Sequence, residues 1–486
     1  MANQELLKPE ALLKLPAFQW KRLGADFLLT NEWGFYEFLS KKEFSSFLNG
    51  KIAVDSPLWQ RLQPKGFLRD HLDFEGLARK WKEKNSFLWT AASLHILVLT
   101  LRCNHSCSYC QSAAVKTDPR RYDMDWRTAK ASIDMAFSSP SKNLSLEFQG
   151  GEPLLNWPVL KRAVDYALAK NRAAGKTLKF ALVSNFSLLD KEKADFLISR
   201  NVSLCTSLDG PEAIHNKNRT YLDGNSYGLT VRWLKELMRR YKKCQKADSP
   251  VFKPSALTTV TALALPHAKE VVDEYVRLNL GAIFLRPLSP LGHARRAWRK
   301  IGYSPKQFLE FYSQALDRIL EHNRRGRRIS EKTAEIMLSK IFGQDNGGYM
   351  DMRSPCGAAI GQMAYNFDGD VYACDEGRML ACAGDKLFRI GNVFSDSYKH
   401  LVSGPVSKAC AWSSNLECHP LCFRCVYRPY CGTCPVYNYQ SQGSIWGVMP
   451  ANERHAIYEG LFDILFGHIR KPADLKIFRS WLDDKR

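Results

Sequence analysis

The sequence predicts an α/β fold built on a parallel sheet, open or closed into a barrel, and three observations predict it. Six apolar runs of strand length recur at Leu94–Leu101, Leu144–Phe148, Leu178–Val183, Val202–Ser207, Ala256–Ala262 and Ala282–Leu285. Between them lie amphipathic stretches of helical period at Trp126–Phe137, Pro158–Arg172, Lys191–Arg200, Tyr227–Tyr241 and Ala268–Leu278, the alternation that makes β-α units. Short polar motifs follow the first four strands, where the loops of such sheets build a site.

The flanking segments divide the chain of 486 residues further. Residues 1–90 read as a small module. Asp26–Leu29 and Phe35–Leu39 flank Asn31-Glu32-Trp33-Gly34 as a hairpin, and Lys41–Leu48 has helical spacing closed by Asn49-Gly50. Residues 91–300 form the α/β core, and 301–349 a helical linker from Pro305 to about Phe342. Residues 350–446 are cysteine-rich, and 447–486 form a helical tail that includes Arg454–Ile469.

No run of about 18 apolar residues exists, so no membrane span is expected. Met1-Ala2-Asn3-Gln4-Glu5 lacks the basic and apolar regions of a signal peptide, which makes the cytoplasm the expected compartment. The net charge of +21 is scattered, with only modest groups at Arg295–Lys300 and Arg324–Arg328. No nucleic-acid module accompanies it, so nucleic acid is not the expected partner.

Fourteen cysteines without an export signal argue for metal ligation rather than disulfides. Cys103, Cys107 and Cys110 lie together in Cys-Asn-His-Ser-Cys-Ser-Tyr-Cys. Nine more fall between Cys356 and Cys434, and only Cys205 and Cys244 stand apart. Three thiolates are one short of closing a tetrahedral or cubane site. A [4Fe–4S] cluster held by three keeps one iron open for an exogenous ligand; a structural zinc loop is the plainer alternative. After the second strand comes Phe148-Gln149-Gly150-Gly151-Glu152-Pro153, whose glycines allow close backbone approach and whose Glu152 offers a carboxylate to an ammonium.

The pair of motifs resembles the radical S-adenosylmethionine (radical SAM) superfamily. The resemblance implies a partial (β/α)6 TIM-like barrel, a small N-terminal winged-helix-like module of the peptide-recognition kind, and a C-terminal SPASM domain. It also implies an enzyme with a [4Fe–4S] cluster at Cys103, Cys107 and Cys110. S-adenosylmethionine would be bound there by Gly150, Gly151, Glu152 and Pro153, with Tyr109 near the adenine. Carried over locally, it adds Gln149, Ser184, Asn185, Ser207 and Arg219 as cofactor-binding positions, while His215 reads as structural.

The C-terminal cysteines are similar to the SPASM extension, which binds auxiliary [4Fe–4S] clusters. Cys356 is followed by Gly369-x4-Cys374, then by Cys422-x2-Cys425-x5-Cys431-x2-Cys434. Two Cys-x2-Cys pairs also suit a zinc ribbon. The last spacing is x2 where the family has x3, and no cysteine follows Cys434. By family logic Cys356, Cys374 and Cys434 share one cluster, with Cys382 as fourth. Cys422, Cys425 and Cys431 share the other, with Cys418 nearest to complete it. Cys410 is an alternative ligand, and an incomplete cluster would be an open iron. One or two auxiliary clusters are therefore expected. Asp375, which follows Cys374, is a candidate catalytic proton acceptor.

A narrower resemblance rests on Phe148–Asn156, Phe284-Leu285-Arg286-Pro287-Leu288-Ser289-Pro290, Tyr365–Tyr372 and Phe27–Glu32. These look like the His-Xaa-Ser system radical SAM maturase. That implies a precursor peptide or protein substrate, a sister radical SAM maturase, and an electron donor such as flavodoxin or ferredoxin. The alternatives are an anaerobic sulfatase-maturating, formylglycine-forming enzyme and a non-catalytic iron–sulfur or zinc scaffold that binds peptide.

Overall fold

The structure, a computed structural model, describes residues 15–112, 114–115, 119–246, 252–343 and 349–483; Met1–Glu5 lies outside them. Six parallel strands form the core, the first five where apolar runs stand: β4 (Leu94–Thr100), β6 (Asn143–Gly150), β7 (Thr177–Val183), β8 (Val202–Ser207), β10 (Ser255–Thr259) and β12 (Leu285–Arg286), which shares only Leu285 with the expected Ala282–Leu285 strand. The first three strands of the chain (β1–β3) belong to the N-terminal module described below, β5 and β9 to the site, and β11 (Ala282–Ile283) pairs in parallel with β13 (Ser330–Glu331) at the rim.

The core strands pair in sequence order, β4-β6-β7-β8-β10-β12. Helices Trp126–Phe137, Trp157–Ala174, Lys191–Ser199, Ser226–Lys246 and Ala268–Arg277 connect them. β4 is buried along nearly its whole length, as a parallel strand covered on both faces must be. Along β6, Leu144, Leu146 and Phe148 are fully buried, while Ser145, Glu147 and Gln149 take the opposite face; in β8, Val202, Leu204 and Thr206 alternate with Ser203, Cys205 and Ser207. Period-two alternation thus sends apolar side chains to the helices and polar ones to the lumen. Local capping fixes the helix starts: Asp125 accepts from the Thr128 amide at 2.7 Å and Asp190 from that of Lys193 at 2.8 Å.

The sheet continues past β4. β14 (Gln362–Tyr365) adds in parallel to β4, and β15 (Asp370–Tyr372) and β16 (Arg389–Asn392) extend it antiparallel. The cysteine-rich region is therefore grafted onto the sheet edge rather than tethered beside it. The expected 305–342 helical segment is two helices, Pro305–Arg324 and Lys332–Ile341, interrupted by β13. Glu331 explains the break. Its fully buried carboxylate accepts from Tyr312 at 2.6 Å, from the Ala334 amide at 2.7 Å and from the Leu285 amide at 3.1 Å.

The N-terminal module is a three-stranded antiparallel sheet, β1 (Gln19–Leu23), β2 (Asp26–Thr30) and β3 (Tyr36–Leu39), followed by helix Lys41–Leu48. The alternating Gln19–Leu23 run escaped the sequence reading. The outer strand β3 is covered, since Lys65 donates to the Tyr36 carbonyl at 3.0 Å and Arg61 to that of Phe38 at 2.8 Å. The module sits on the cysteine-rich region: Thr30 donates to the Val426 carbonyl at 2.7 Å, Tyr430 to that of Gly34 at 3.2 Å, and Arg428 pairs with Glu32 at 2.8 Å. Tyr36 and Phe38 also pack edge-on against Phe466 of the helix Glu453–Ile469, so this helix of the expected helical tail is part of the same packing.

At the C-terminal end of β6 two residues have no room for a side chain. A Cβ at Gly150, where φ is +148°, would stand 2.1 Å from the Thr100 carbonyl oxygen; one at Gly151 would stand 2.2 Å from that of Arg102. Backbone cannot yield as a side-chain tip can. Gly151→Ala should therefore lower stability by about 1–3 kcal/mol, read as a fall in Tm. An unchanged Tm would show that the β4–β6 contact is looser than described.

Candidate active site

The three-cysteine loop leaves β4 at the C-terminal face of the sheet. Arg102 forks onto Asp123, Nε at 2.9 Å and Nη2 at 2.7 Å, and anchors the loop's base. The middle of the loop is a short strand, β5 (His105–Cys107), paired antiparallel with β9 (Arg219–Tyr221) so that Cys107 lies opposite Arg219. His105 stacks on Tyr221 with ring centroids 4.7 Å apart and approaches Ser226 Oγ at 2.9 Å. Further along, the Ser108 amide donates to the Asn218 carbonyl at 2.9 Å and the His293 amide to that of Cys110 at 2.8 Å. The loop is held along its length.

Behind it, Glu152 organises the neighbouring strand ends. Its fully buried carboxylate accepts from Ser184 Oγ at 2.7 Å, the Asn185 amide at 2.8 Å and the Leu154 amide at 3.0 Å. Asn185 in turn donates toward Cys103 Sγ at 3.9 Å and to Asn104 Oδ1 at 2.9 Å. Burial, with Glu152 behind it, pushes the Cys103 thiol up to about 12, and burial pushes Cys107 up to about 11. Both are neutral thiols at neutral pH, so ligation there releases protons.

Arg219 ties the loop to β8. It donates to Tyr109 Oη at 2.7 Å, and Tyr109 donates to Asp209 Oδ2 at 2.6 Å. Burial works against the charge of Arg219, but Tyr109, Cys107 and Asp209 overcome it and hold the guanidinium protonated well above its ordinary range.

These elements enclose a cavity of about 730 Å3, within the usual range for a cofactor site. Cys103, Cys107, Cys110, Tyr109, Gln149, Gly150, Gly151, Ser184, Asn185, Ser207 and Arg219 all line it. Three soft thiols at one wall are a donor set that fits an iron–sulfur cluster. Two expected residues are not in the lining. Glu152 and Pro153 lie behind the wall, because the glycine pair turns the chain beneath the Arg102 carbonyl and buries both. The glycines serve backbone–backbone contact, where the sequence suggested approach to a ligand. His215 is structural as read: it is buried, with Nε2 at 3.0 Å from Ser226 Oγ.

Sequence reasoning missed Arg286, His293, Arg296, Lys300 and Met379, which also line it. The signal was present in Phe284–Pro290 and in the Arg295–Lys300 group, read only as a motif and a charge run. Arg286 and Gln111 also line a second cavity of about 50 Å3 shared with Glu376, Asp351 and Arg454.

The C-terminal cysteines fall into two sets. Cys356, Cys374, Cys410 and Cys434 are all buried, and Cys434 acts electrostatically on each of the other three. The Gly377 amide donates to Cys374 Sγ at 3.4 Å and the Tyr437 amide to Cys434 Sγ at 3.5 Å. Each of these cysteines caps a helix start, where backbone dipoles favour a thiolate. Cys422, Cys425 and Cys431 form the second set.

Three calls need correction. Cys382 is not with the first set: it lies on the far end of the helix Asp375–Cys382, 3.9 Å from Arg378 Nη1, packed against the apolar group of Ile96, Val98 and Tyr372. Cys410 is buried, with Cys434 among the charges that act on it. Cys418, four residues before the buried Cys422, is exposed. Asp375 is outside the lining of the cavity and is engaged by the fully buried Arg378 through Nη2 at 2.5 Å.

Residues 97–279 match the Radical SAM superfamily. The chain is an enzyme that carries a radical SAM domain. The Radical SAM family uses a [4Fe–4S] cluster with S-adenosylmethionine. The chain is 26% identical over 349 residues to the cysteine-type anaerobic sulfatase-maturating enzyme of Clostridium perfringens strain 13, covering 70% of this chain and 87% of that one. It is 28% identical over 196 residues to an uncharacterised protein of Methanocaldococcus jannaschii, 40% of this chain, and spans 62% of the length of that relative. Its fold is like that of native anSMEcpe with bound AdoMet, with a TM-score of 0.63 at 20% identity, covering 78% of this chain and 99% of that one. The fold also resembles Streptococcus suis SuiB bound to S-adenosylmethionine, with a TM-score of 0.52 at 14% identity, covering 89% and 98%. No described helix is long and apolar enough to cross a membrane.

Two outcomes test this geometry. Glu152→Ala strands three buried donors at roughly 1–3 kcal/mol each, so it should lower Tm and weaken S-adenosylmethionine binding in equilibrium dialysis; unchanged affinity would separate Glu152 from the cavity. Glu147, buried and beside Asp375, is pushed up to about 7. A carboxyl raised on folding costs nothing below its unfolded value, and the cost grows as pH climbs toward the folded one. The Tm advantage of Glu147→Gln over the parent should therefore widen between about pH 5 and pH 8. A constant difference would contradict the burial of that charge.

Proposed function

We propose that this radical SAM enzyme matures a ribosomally made peptide or protein of the His-Xaa-Ser type. The observation that carries the reading is the cavity itself, with three thiols on one wall and Ser184, Asn185, Ser207 and Arg219 on the others. Cys103, Cys107 and Cys110 would hold the cluster there, and with S-adenosylmethionine it would supply the radical chemistry that removes hydrogen from a substrate residue.

The chain's own residues do the rest. Cys103, Cys107 and Cys110 hold the cluster and leave one iron open. Ser207 and Arg219 offer a hydroxyl and a cation to the cofactor's polar groups, and Tyr109 presents its ring at the wall beside them. Glu152 acts through the strand ends it pins, at Ser184 and Asn185. Cys356, Cys374, Cys410 and Cys434 would hold one auxiliary [4Fe–4S] cluster, and Cys422, Cys425 and Cys431 a second. Zinc is the alternative, since two Cys-x2-Cys pairs also suit a four-coordinate site. Asp375, paired with Arg378, is less suited to accept a proton than a free carboxylate would be.

A flavodoxin or ferredoxin would deliver the electron in the cytoplasm, and a sister radical SAM maturase would share the precursor. Peptide substrates are supported by analogy with the SuiB structure bound to precursor peptide SuiA. A second reading, formation of formylglycine in a sulfatase, is favoured by the likeness to the Clostridium perfringens enzyme.

Anaerobic reconstitution with dithionite should yield 5′-deoxyadenosine from S-adenosylmethionine, and the Cys103→Ala/Cys107→Ala/Cys110→Ala variant should yield none. Product from that variant would remove the assignment of those cysteines, and no product from the parent would leave a peptide-binding scaffold. Coexpression with a His-Xaa-Ser precursor should change the precursor's mass. Modification of a Cys-x-Pro-x-Arg peptide instead would favour the sulfatase reading. Iron analysis should show loss of iron in Cys410→Ala and none in Cys382→Ala; the reverse would restore Cys382 as the ligand.

A further inference from the structure

We propose that one face of the helix His293–Ile301 is a subsite for carboxylate side chains of the peptide substrate, so that the segment entering the cavity is acidic. The inference rests on the peptide substrate of the proposed function and adds the charge of that peptide.

The helix is built against the cysteine loop. Gly292 precedes it with φ at +55°, and a Cβ there would stand 2.4 Å from the Gln111 carbonyl oxygen and 2.7 Å from that of Cys110. Only glycine lets the chain pass the loop so closely in this conformation, and the His293 amide then donates to the Cys110 carbonyl at 2.8 Å. At the other end the Ile301 carbonyl accepts from the Ala262 amide at 2.8 Å, beyond the end of β10. Ala294 and Ile301 are buried. Held at both ends, the helix turns His293, Arg296, Ala297 and Lys300 to the cavity, a spacing of three and four that makes one face. Arg295 and Arg299 are exposed and lie outside the lining.

The charge of the cavity is one-sided. Arg219, Arg286, Arg296 and Lys300 line it, and among the described residues no Asp or Glu does. Arg219 is already tied to Asp209 through Tyr109. Among the described residues no ion pair engages Arg286, Arg296 or Lys300. Asp351 and Glu376 line only the smaller cavity beyond Arg286, and Asp351 is taken there by Arg454 at 2.9 Å. S-adenosylmethionine brings a single carboxylate, which Ser207 and Arg219 answer in the proposed function. Compensating the charge of a cluster calls for a cation at the thiols, the place that Arg219 holds opposite Cys107; Arg296 and Lys300 are exposed instead. Carboxylates of a peptide lying along the helix account both for the unpaired cations and for their common face, with the fork of Arg296 suited to bidentate pairing. A charge run that only meets water would make no distinction between this face and that of Arg295 and Arg299.

The test measures fluorescence anisotropy of labelled peptides on the reconstituted enzyme with S-adenosylmethionine, under anaerobic conditions. Three His-Xaa-Ser peptides differ only in Glu, Gln or Lys at the Xaa positions, and three Gly-Ser peptides carry the same substitutions. In either framework the Glu peptide should bind about tenfold tighter than the Gln peptide, as two or three half-exposed pairs would give, and the preference should shrink as salt rises. Arg296→Glu/Lys300→Glu should reverse the order, so that the Lys peptide binds tightest. Arg295→Glu/Arg299→Glu, which changes the net charge equally on the other face, should keep the Glu preference. Equal binding of the Glu and Gln peptides, no binding of any peptide, or a response that does not tell the two double variants apart would overturn the inference. A Glu preference confined to the Gly-Ser framework would uphold the subsite and remove the His-Xaa-Ser precursor, so the two claims fail separately.

Discussion

The site depends on one steric constraint, the absence of side chains at residues 150 and 151. With hydrogen in place of Cβ, the end of β6 passes against the carbonyls of Thr100 and Arg102, and the amides of Gly151 and Glu152 donate to those same carbonyls at 2.8 Å. That contact drives Glu152 under the cysteine loop, where its carboxylate binds Ser184 and Asn185. Asn185 then reaches Cys103. Three strand ends are thus locked into one wall, and a single methyl group would pry them apart. The motif's glycines and its glutamate are a packing device first; their effect on a cofactor is transmitted through the residues they position.

The second determinant is charge held in a poor solvent. Arg219, Tyr109 and Asp209 form a chain from the cysteine loop to the end of β8, so the cation opposite Cys107 is fixed by a buried acid. The lumen beneath carries Glu147, Asp375 and Arg286, and burial raises the carboxyl of Glu147. Arg378 is fully buried against Asp375. Ion pairs of this kind add little net stability. Arg296 and Lys300 add two cations to the same lining.

Much of this was legible in the sequence. Five of the six core strands and the placement of the three-cysteine loop follow from apolar runs and β-α alternation, because a strand covered on both faces must be apolar; the sixth run, Ala282–Leu285, divides between β11 and β12. The lining residues Ser184, Asn185, Ser207 and Arg219 were found as motifs at strand ends. What escaped has physical reasons. Gln19–Leu23 alternates Trp20 and Arg22 with half-buried neighbours, and such a mixed edge strand carries a weak signal. Cys382 and Cys410 cannot be told apart by spacing, since only the antiparallel addition of β15 and β16 and the helix that follows decide which thiol faces Cys434. Glu331 breaks a helix by long-range hydrogen bonds, which no local pattern records. Arg286 looked like part of a motif, yet its position between two cavities needs the closed sheet.

The central claim is that Cys103, Cys107 and Cys110 present a cluster with an open iron to the cavity bounded by Gly150, Ser184 and Arg219. EPR of the dithionite-reduced protein, recorded with and without S-adenosylmethionine, tests it most directly. The account predicts that the cofactor changes one cluster's signal, that the change is absent in Cys107→Ala, and that it survives replacement of Cys356 or Cys422. A spectrum indifferent to S-adenosylmethionine, or a response that disappears with the C-terminal cysteines instead, would contradict it.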